Sequence, residues 1–288
     1  KAAVEGRLVE TEAELARRAA QGSANVAGGW MPGATEGRSY ETGAQLLQRI
    51  LETRRSQWKG KGKYKEPAAP DSTDLPELPE GWVWASLRNL GDVIGGLTKN
   101  PKRAKLKRKL PYLRVANVYA NELRLDEIEE IGVEDNELEK LLVQKGDLLI
   151  VEGNGSPEQI GRLAIWDGSI RPCVHQNHLI KVRLPTICLP KWVVGWLMSP
   201  DGRTCIRDVS SSTSGLYPLR VGKVGGVPVP LPPLAEQQRI VAEVERRFSL
   251  TDGLEAQVNA NLMRAERLRQ SILHSGFTGG LVTVTVPN

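Results

Sequence analysis

The chain has 288 residues, enough for one large domain or two of medium size, with 40% hydrophobic and 25% charged residues. No apolar run approaches the roughly 20 residues that a bilayer-spanning helix needs, which excludes a helical membrane protein. Lys+Arg 39 against Asp+Glu 34 gives a net charge of +5, a balance that favours an anionic partner.

Taken in chain order, Thr11 to Ala20 (TEAELARRAA) are helix formers, and the glycine-rich stretch from Gly22 to Gly37 reads as a loop. The chain opens on Lys1 inside what reads as an element, as a cut or processed fragment does. Thr42 and Gln45 have capping-box spacing, and Leu46, Leu47, Ile50 and Leu51 form one apolar stripe, predicting an amphipathic helix to about Trp58. A Lys-, Gly- and Pro-rich linker follows, with a new domain from Trp82. Short apolar runs at Val83–Leu87, Pro111–Val118, Gly146–Val151, Gly161–Trp166, Leu179–Val182 and Val227–Leu231 have strand length and strand punctuation. Glu134–Val143 and Pro190–Met198 read as helices between them. Together these segments predict a mixed α/β (α+β) domain of about 150 residues.

From Leu234 to His274 there is no Pro, and Gly253 is the one glycine. Val244, Val258, Ala265 and Ile272 share one heptad register, Ile240, Leu254 and Leu268 the partner register, and Thr251 and Asn261 interrupt the seam. This predicts a coiled-coil-forming rod of roughly 60 Å that packs against another helix and ends near Gly276. Residues 1–9 (KAAVEGRLV) also align with 274–282 (HSGFTGGLV), as though an earlier copy of the long helix preceded the chain.

Lys99, Lys102, Arg103, Lys105, Lys107, Arg108 and Lys109 are seven bases within eleven residues that contain no acid. Such a run is either a solvated loop or a phosphate-contacting one; its position after the glycine-rich turn GDVIGGLT supports the second reading. Ser211, Ser212, Thr213, Ser214, Tyr217 and Arg220 offer hydroxyls for phosphates and two side chains suited to base edges, in what is otherwise a polar loop. The basic residues Arg54, Arg55, Lys59, Lys61, Lys63 and Lys65 of the linker read as solubilising, and the acidic pairs Asp126–Glu127 and Glu129–Glu130 as surface. EGNGSPEQIGR, residues 152–162, matches neither phosphate-loop fingerprint. Cys173, His175 and His178 raise the question of zinc, but four ligands at familiar spacings are missing, so no metal is expected. Cys173, Cys188 and Cys205 cannot all pair, which suits a reducing cytoplasm. No nucleophile elbow, methyltransferase motif or nuclease core is present, so catalytic residues are not expected.

The run Pro230-Leu-Pro-Pro-Leu-Ala-Glu-Gln-Gln-Arg-Ile240, opening a long helix directly after a mixed domain, resembles the specificity subunit of type I restriction-modification systems. LPEGW (78–82), LGDVIGGLT (90–98), YLRVANV (112–118), KGDLLIVEGNGSPEQIGRLAI (145–165), HQNH (175–178) and RLRQSIL (267–273) agree with that family in order. The resemblance implies a partial central spacer at 1–80, a target-recognition domain at 81–233 that reads half of a split duplex DNA site, a scaffold helix at 234–275 and a tail at 276–288. It further implies that modification and restriction subunits are the partners and that S-adenosylmethionine, ATP and Mg belong to them. Ile240, Val244, Leu254, Val258, Leu268 and Ile272 would pair helices, giving a homodimer of this half-length chain, and Glu236, Gln237 and Arg239 would help dock the modification subunit. The rival reading is a coiled-coil adaptor with an incidental basic run.

Overall fold

A computed structural model of the chain describes residues 1–26, 40–58, 60, 62–153, 160–210 and 219–278. Helix α1 (Glu12–Val26) starts at a capping box in which the Thr11 hydroxyl accepts from the Glu14 amide at 3.2 Å and the Glu14 carboxylate from the Thr11 amide at 2.8 Å. It runs past the predicted end at Ala20 into the glycine-bearing stretch. Helix α2 (Gly43–Ser56) has the capping box expected at Thr42 and Gln45, and buries Leu46 and Ile50.

The elements that follow are β1 (Val83–Ser86), α3 (Leu87–Leu90), β2 (Asp92–Gly95), α4 (Pro101–Ala104), β3 (Lys109–Leu113), β4 (Val118–Tyr119), β5 (Glu122–Leu123) and β6 (Glu129–Gly132). After these come α5 (Leu138–Leu141), β7 (Leu148–Val151), β8 (Leu163–Ile165), β9 (Val174–His175), β10 (Leu179–Arg183), α6 (Pro190–Met198), α7 (Pro200–Ser210), α8 (Val221–Gly225), β11 (Pro228–Leu231) and α9 (Leu234–Phe277). One sheet has the antiparallel order β2-β10-β7-β8 and another the order β6-β3-β9, with β3 and β9 parallel. The side chains of β3 separate two cores. Leu110 and Tyr112 pack with Leu97, Ile131 and Val174, while Leu113 packs with Val118, Leu149, Trp166 and Leu179. All four residues of β7 are buried, which is why its sequence is a continuous apolar run.

Several predicted elements are corrected. GDVIGG is not simply a turn, because Asp92–Gly95 is a strand paired with β10. Glu129–Gly132, read as charged surface, is β6, and Glu134–Val143 contains only a 3₁₀ turn and the short α5. The sequence reading missed α7. Its Gly202 is where a glycine is needed, since a Cβ there would lie 2.0 Å from the Trp196 carbonyl. Gly276 does not end α9, which continues through Phe277.

The first and last strands of the mixed domain, β1 and β11, pair antiparallel from Val83↔Leu231 to Ser86↔Pro228. Proline removes donors from β11, but its carbonyls are used: Trp192 and Trp196 of α6 donate their indole N–H groups to Pro230 and Pro228 at 2.8 Å each. The strand then hands the chain directly to α9. In its first turns, Gln237 donates to the Pro232 carbonyl at 2.9 Å and accepts from the Leu189 amide at 3.3 Å. The buried Glu236 carboxylate accepts from Trp82 Nε1 at 2.9 Å and the Glu12 amide at 3.1 Å, and Arg239 pairs with Glu12. Burial raises the Glu236 carboxyl above its ordinary value, against the pull of those two donors. Glu236, Gln237 and Ile240 are therefore interior groups of this chain, which removes them from the docking and pairing surfaces predicted above.

The chain divides into two units, Lys1–Val241 and Ala242–Asn288. Glu236→Ala, which strands two N–H donors inside the first unit, is expected to lower its stability by about 2–4 kcal/mol, with Glu236→Gln intermediate. The shift of the urea midpoint at unchanged slope measures both. In the second unit Leu254, Val258, Leu268 and Ile272 are each more than half exposed, so the heptad stripe lacks cover among the described residues.

Candidate nucleic-acid interface

The basic run follows β2, forms α4 and ends in β3. Asn100 caps α4 by accepting from the Arg103 amide at 3.0 Å, and Pro101 occupies the first turn. The run does not stand out as a bare loop. Arg103 is clamped by both oxygens of Glu137 at 2.8 and 2.7 Å and donates to the Gly132 carbonyl at 3.3 Å. A Cβ on Gly132 would lie 2.0 Å from the Arg103 carbonyl, so this glycine lets α4 lie directly on β6. Arg108 pairs with Asp135 at 2.6 Å and Lys99 with Glu129 at 2.8 Å. Lys102, Lys105, Lys107 and Lys109 are exposed and make no ion pair among the described residues. The seven bases thus split into three that meet acids brought in by folding and four that face solvent. Lys99, Arg103 and Lys109 also line an open cleft of about 480 Å³ against Glu130 and Ile131.

The clamp on Arg103 is itself braced. Glu137 immediately precedes α5, whose C-terminal end is tied to β10: buried Lys181 donates to the Lys140 and Leu142 carbonyls at 2.7 and 2.8 Å. Arg183 adds a bond to Leu142 and a two-point pair with Asp147. Burial pulls the Lys181 ammonium from 10.5 down to about 8. Between those pH values the folded chain gives up this proton before the unfolded chain does. The stability of the wild type relative to Lys181→Met should therefore be flat below pH 8 and rise toward pH 10.5, by on the order of 3 kcal/mol. Urea titrations of both proteins at pH 7 to 10.5 check the sign.

At the other end of β3, the YLRVANV and HQNH segments meet. Leu113 pairs with His175, and the Gln176 side chain accepts from the Val115 amide at 3.2 Å. The Tyr112 hydroxyl donates to the Leu97 carbonyl at 2.8 Å, and burial pushes this phenol up to about 12. Arg114 reaches the same Glu129 that holds Lys99, at 2.8 Å. Asn117 binds the Arg124 and Glu127 carbonyls at 2.8 and 3.0 Å, fixing the segment after β5. The guanidinium carbons of Arg124 and Arg162 are 3.8 and 4.9 Å from the centroid of the Tyr119 ring. Sequence reasoning missed this grouping, although YANELR carries its signal, a tight turn flanked by Tyr, Glu and Arg.

Cys173 lies in the core with its thiol pushed up to about 12 by burial. The His175 imidazole is pulled down to about 3 and shares a 2.8 Å hydrogen bond with the Leu179 carbonyl. His178 is exposed and meets Glu152 at 2.9 Å. Arg220 is exposed at the N-cap of α8, while Ser211, Ser212, Thr213, Ser214 and Tyr217 lie outside the described residues. Arg54 and Arg55, read as linker residues, lie in the last turn of α2, where Arg54 pairs with Asp92 and Arg55 with Glu66.

A mixed helix-and-sheet unit with a lysine-rich edge, followed by a long exposed helix, has the build of a binding module. Residues 79–264 match the type I restriction modification DNA specificity domain, and the chain belongs to that family. It is 32% identical over 197 residues to the type I restriction enzyme EcoKI specificity subunit of Escherichia coli K12, covering 67% of this chain and 41% of that protein. It is 28% identical over 223 residues to the StySPI specificity subunit of Salmonella potsdam, covering 72% and 48%. The chain thus spans less than half the length of these two relatives. A chain from a solved type I R-M system shares the fold with a TM-score of 0.51 at 18% identity, over 82% of this chain and 53% of that one.

Proposed function

We propose that this chain is a DNA-recognition subunit of a type I restriction-modification complex, reading one half of a bipartite duplex site and leaving catalysis to its partners. The observation that carries the reading is the specificity-domain match over 79–264, and the four solvent-facing lysines beside β3 supply the phosphate contacts such a domain needs. In this reading modification subunits carry S-adenosylmethionine, and restriction subunits carry ATP and Mg. Fluorescence anisotropy of the intact chain with a random-sequence duplex tests the electrostatic half of the proposal. Micromolar binding at 50 mM salt that weakens steeply by 200 mM supports it, and no binding at 50 mM opposes it.

The exposed stripe of the second unit favours a homodimer, and its polar interruptions select a register. When two copies run antiparallel with Leu254 opposite Val258 of the second copy, Thr251 falls opposite Asn261 and Val244 opposite Leu268. Shifting by one heptad in either direction separates Thr251 from Asn261 and sets each against an apolar residue, Leu254 or Leu268 for Thr251 and Val244 or Val258 for Asn261. Met263, Leu273 and Phe277 lie off this seam and are exposed, leaving apolar surface for helices of a modification subunit.

A further inference from the structure

Arg124 is exposed yet held on two sides. Its Nε donates to Glu122 at 2.8 Å, and its guanidinium lies 3.8 Å from the centroid of the Tyr119 ring. That ring is fixed in turn: Arg162 approaches it at 4.9 Å while donating to the Val115 carbonyl at 3.0 Å. The β4–β5 hairpin carries Tyr119 and Glu122, with Arg124 directly after it, and is tied to β8 at its turn. Asn121 takes the left-handed φ of 55° in its tight turn, and the Asn121 amide donates to the Leu163 carbonyl of β8 at 2.8 Å. The same edge is continuous with the lysine run through Lys99, Glu129 and Arg114, and then through the segment that Asn117 holds at Glu127 and Arg124.

The geometry points to Arg124 as a specificity-determining residue of this chain, a pre-oriented fork that reads guanine in a G·C pair of the DNA half-site. An exposed arginine loses conformational freedom on binding, and one already held by a carboxylate and an aromatic face loses less. With Nε engaged by Glu122, the two terminal nitrogens remain to donate in parallel, the arrangement that guanine O6 and N7 accept in the major groove. A lysine at this position keeps the charge and loses the fork. The side-chain hydrogen bond between Arg124 and Glu122, helped by their opposite charges, raises the Arg124 guanidinium and lowers the Glu122 carboxyl from their ordinary values.

This inference rests on the DNA-recognition reading, and its test separates the two. The full-length chain selects duplexes from a randomised pool, and the selected site is then compared with each single-base variant and with unrelated duplex. Arg124→Lys is expected to lose about tenfold to a hundredfold of discrimination at one G·C pair, with affinity for unrelated duplex unchanged within about twofold. Glu122→Gln and Tyr119→Ala should lose part of the same discrimination at the same pair, and Tyr119→Phe should retain it. If the wild type selects no sequence, the recognition reading itself fails. Specific selection by the wild type that Arg124→Lys preserves at every position overturns the role of Arg124. An equal loss for all sequences also overturns it, because that marks a phosphate contact or a structural pair.

Discussion

Replacing Lys102, Lys105, Lys107 and Lys109 together by glutamine is expected to flatten the salt dependence of DNA binding. Each lysine that neutralises a phosphate contributes about 0.9 to the slope of log affinity against log salt, so four contribute up to about 3.6. Between 50 and 200 mM salt the wild type should then lose on the order of a hundredfold more affinity than the variant. Arg103→Gln provides the contrast. Its guanidinium is committed to Glu137 and to the Gly132 carbonyl, so the substitution should lower stability and leave the slope unchanged. If Arg103→Gln flattens the slope as much as the lysine variant does, the division of the run into structural and solvent-facing bases is wrong.

The second large effect concerns association. Leu254→Asp with Val258→Asp puts four carboxylates into two adjacent layers of the antiparallel seam, a burial of unpaired charge that a helix pair cannot support. Light scattering at micromolar concentration should give twice the chain mass for the wild type and the single mass for the variant. Both residues are exposed in the single chain, so the urea midpoint of the first unit should not move. A disulfide between Thr251→Cys of one copy and Asn261→Cys of the other tests the register by a different route, and it should form in the chosen register alone. Failure of that crosslink in a demonstrated dimer would reject the register while leaving dimerisation intact.

What was legible in the sequence was local. The Thr42–Gln45 capping box, the all-apolar strand at Leu148–Val151 and the long helix after Leu234 each follow from residues that are near neighbours in the chain. What was not legible depends on distant partners. The basic run contains no acid of its own, yet Glu129, Asp135 and Glu137 reach it because β6 pairs with β3 and the next turn folds over α4. Taken alone, Glu129 reads as plain surface, and Asp135 and Glu137 read as part of a helix. Glu236 and Gln237 likewise look like a polar helix start suited to a partner. Their true neighbours, Trp82, Glu12 and Leu189, come from three other parts of the chain and bury them. The turn in YANELR is legible, but the stacking of Arg124 on Tyr119 depends on the hairpin that brings the two residues together.

The most direct test of the central claim is sequencing of the duplexes that the intact chain selects from a randomised pool at physiological salt. The account predicts enrichment of one short motif, present in two inverted copies at a fixed spacing when the chain is dimeric. Retention of duplexes with no enriched motif, at affinities that the lysine substitutions do not change, would contradict it.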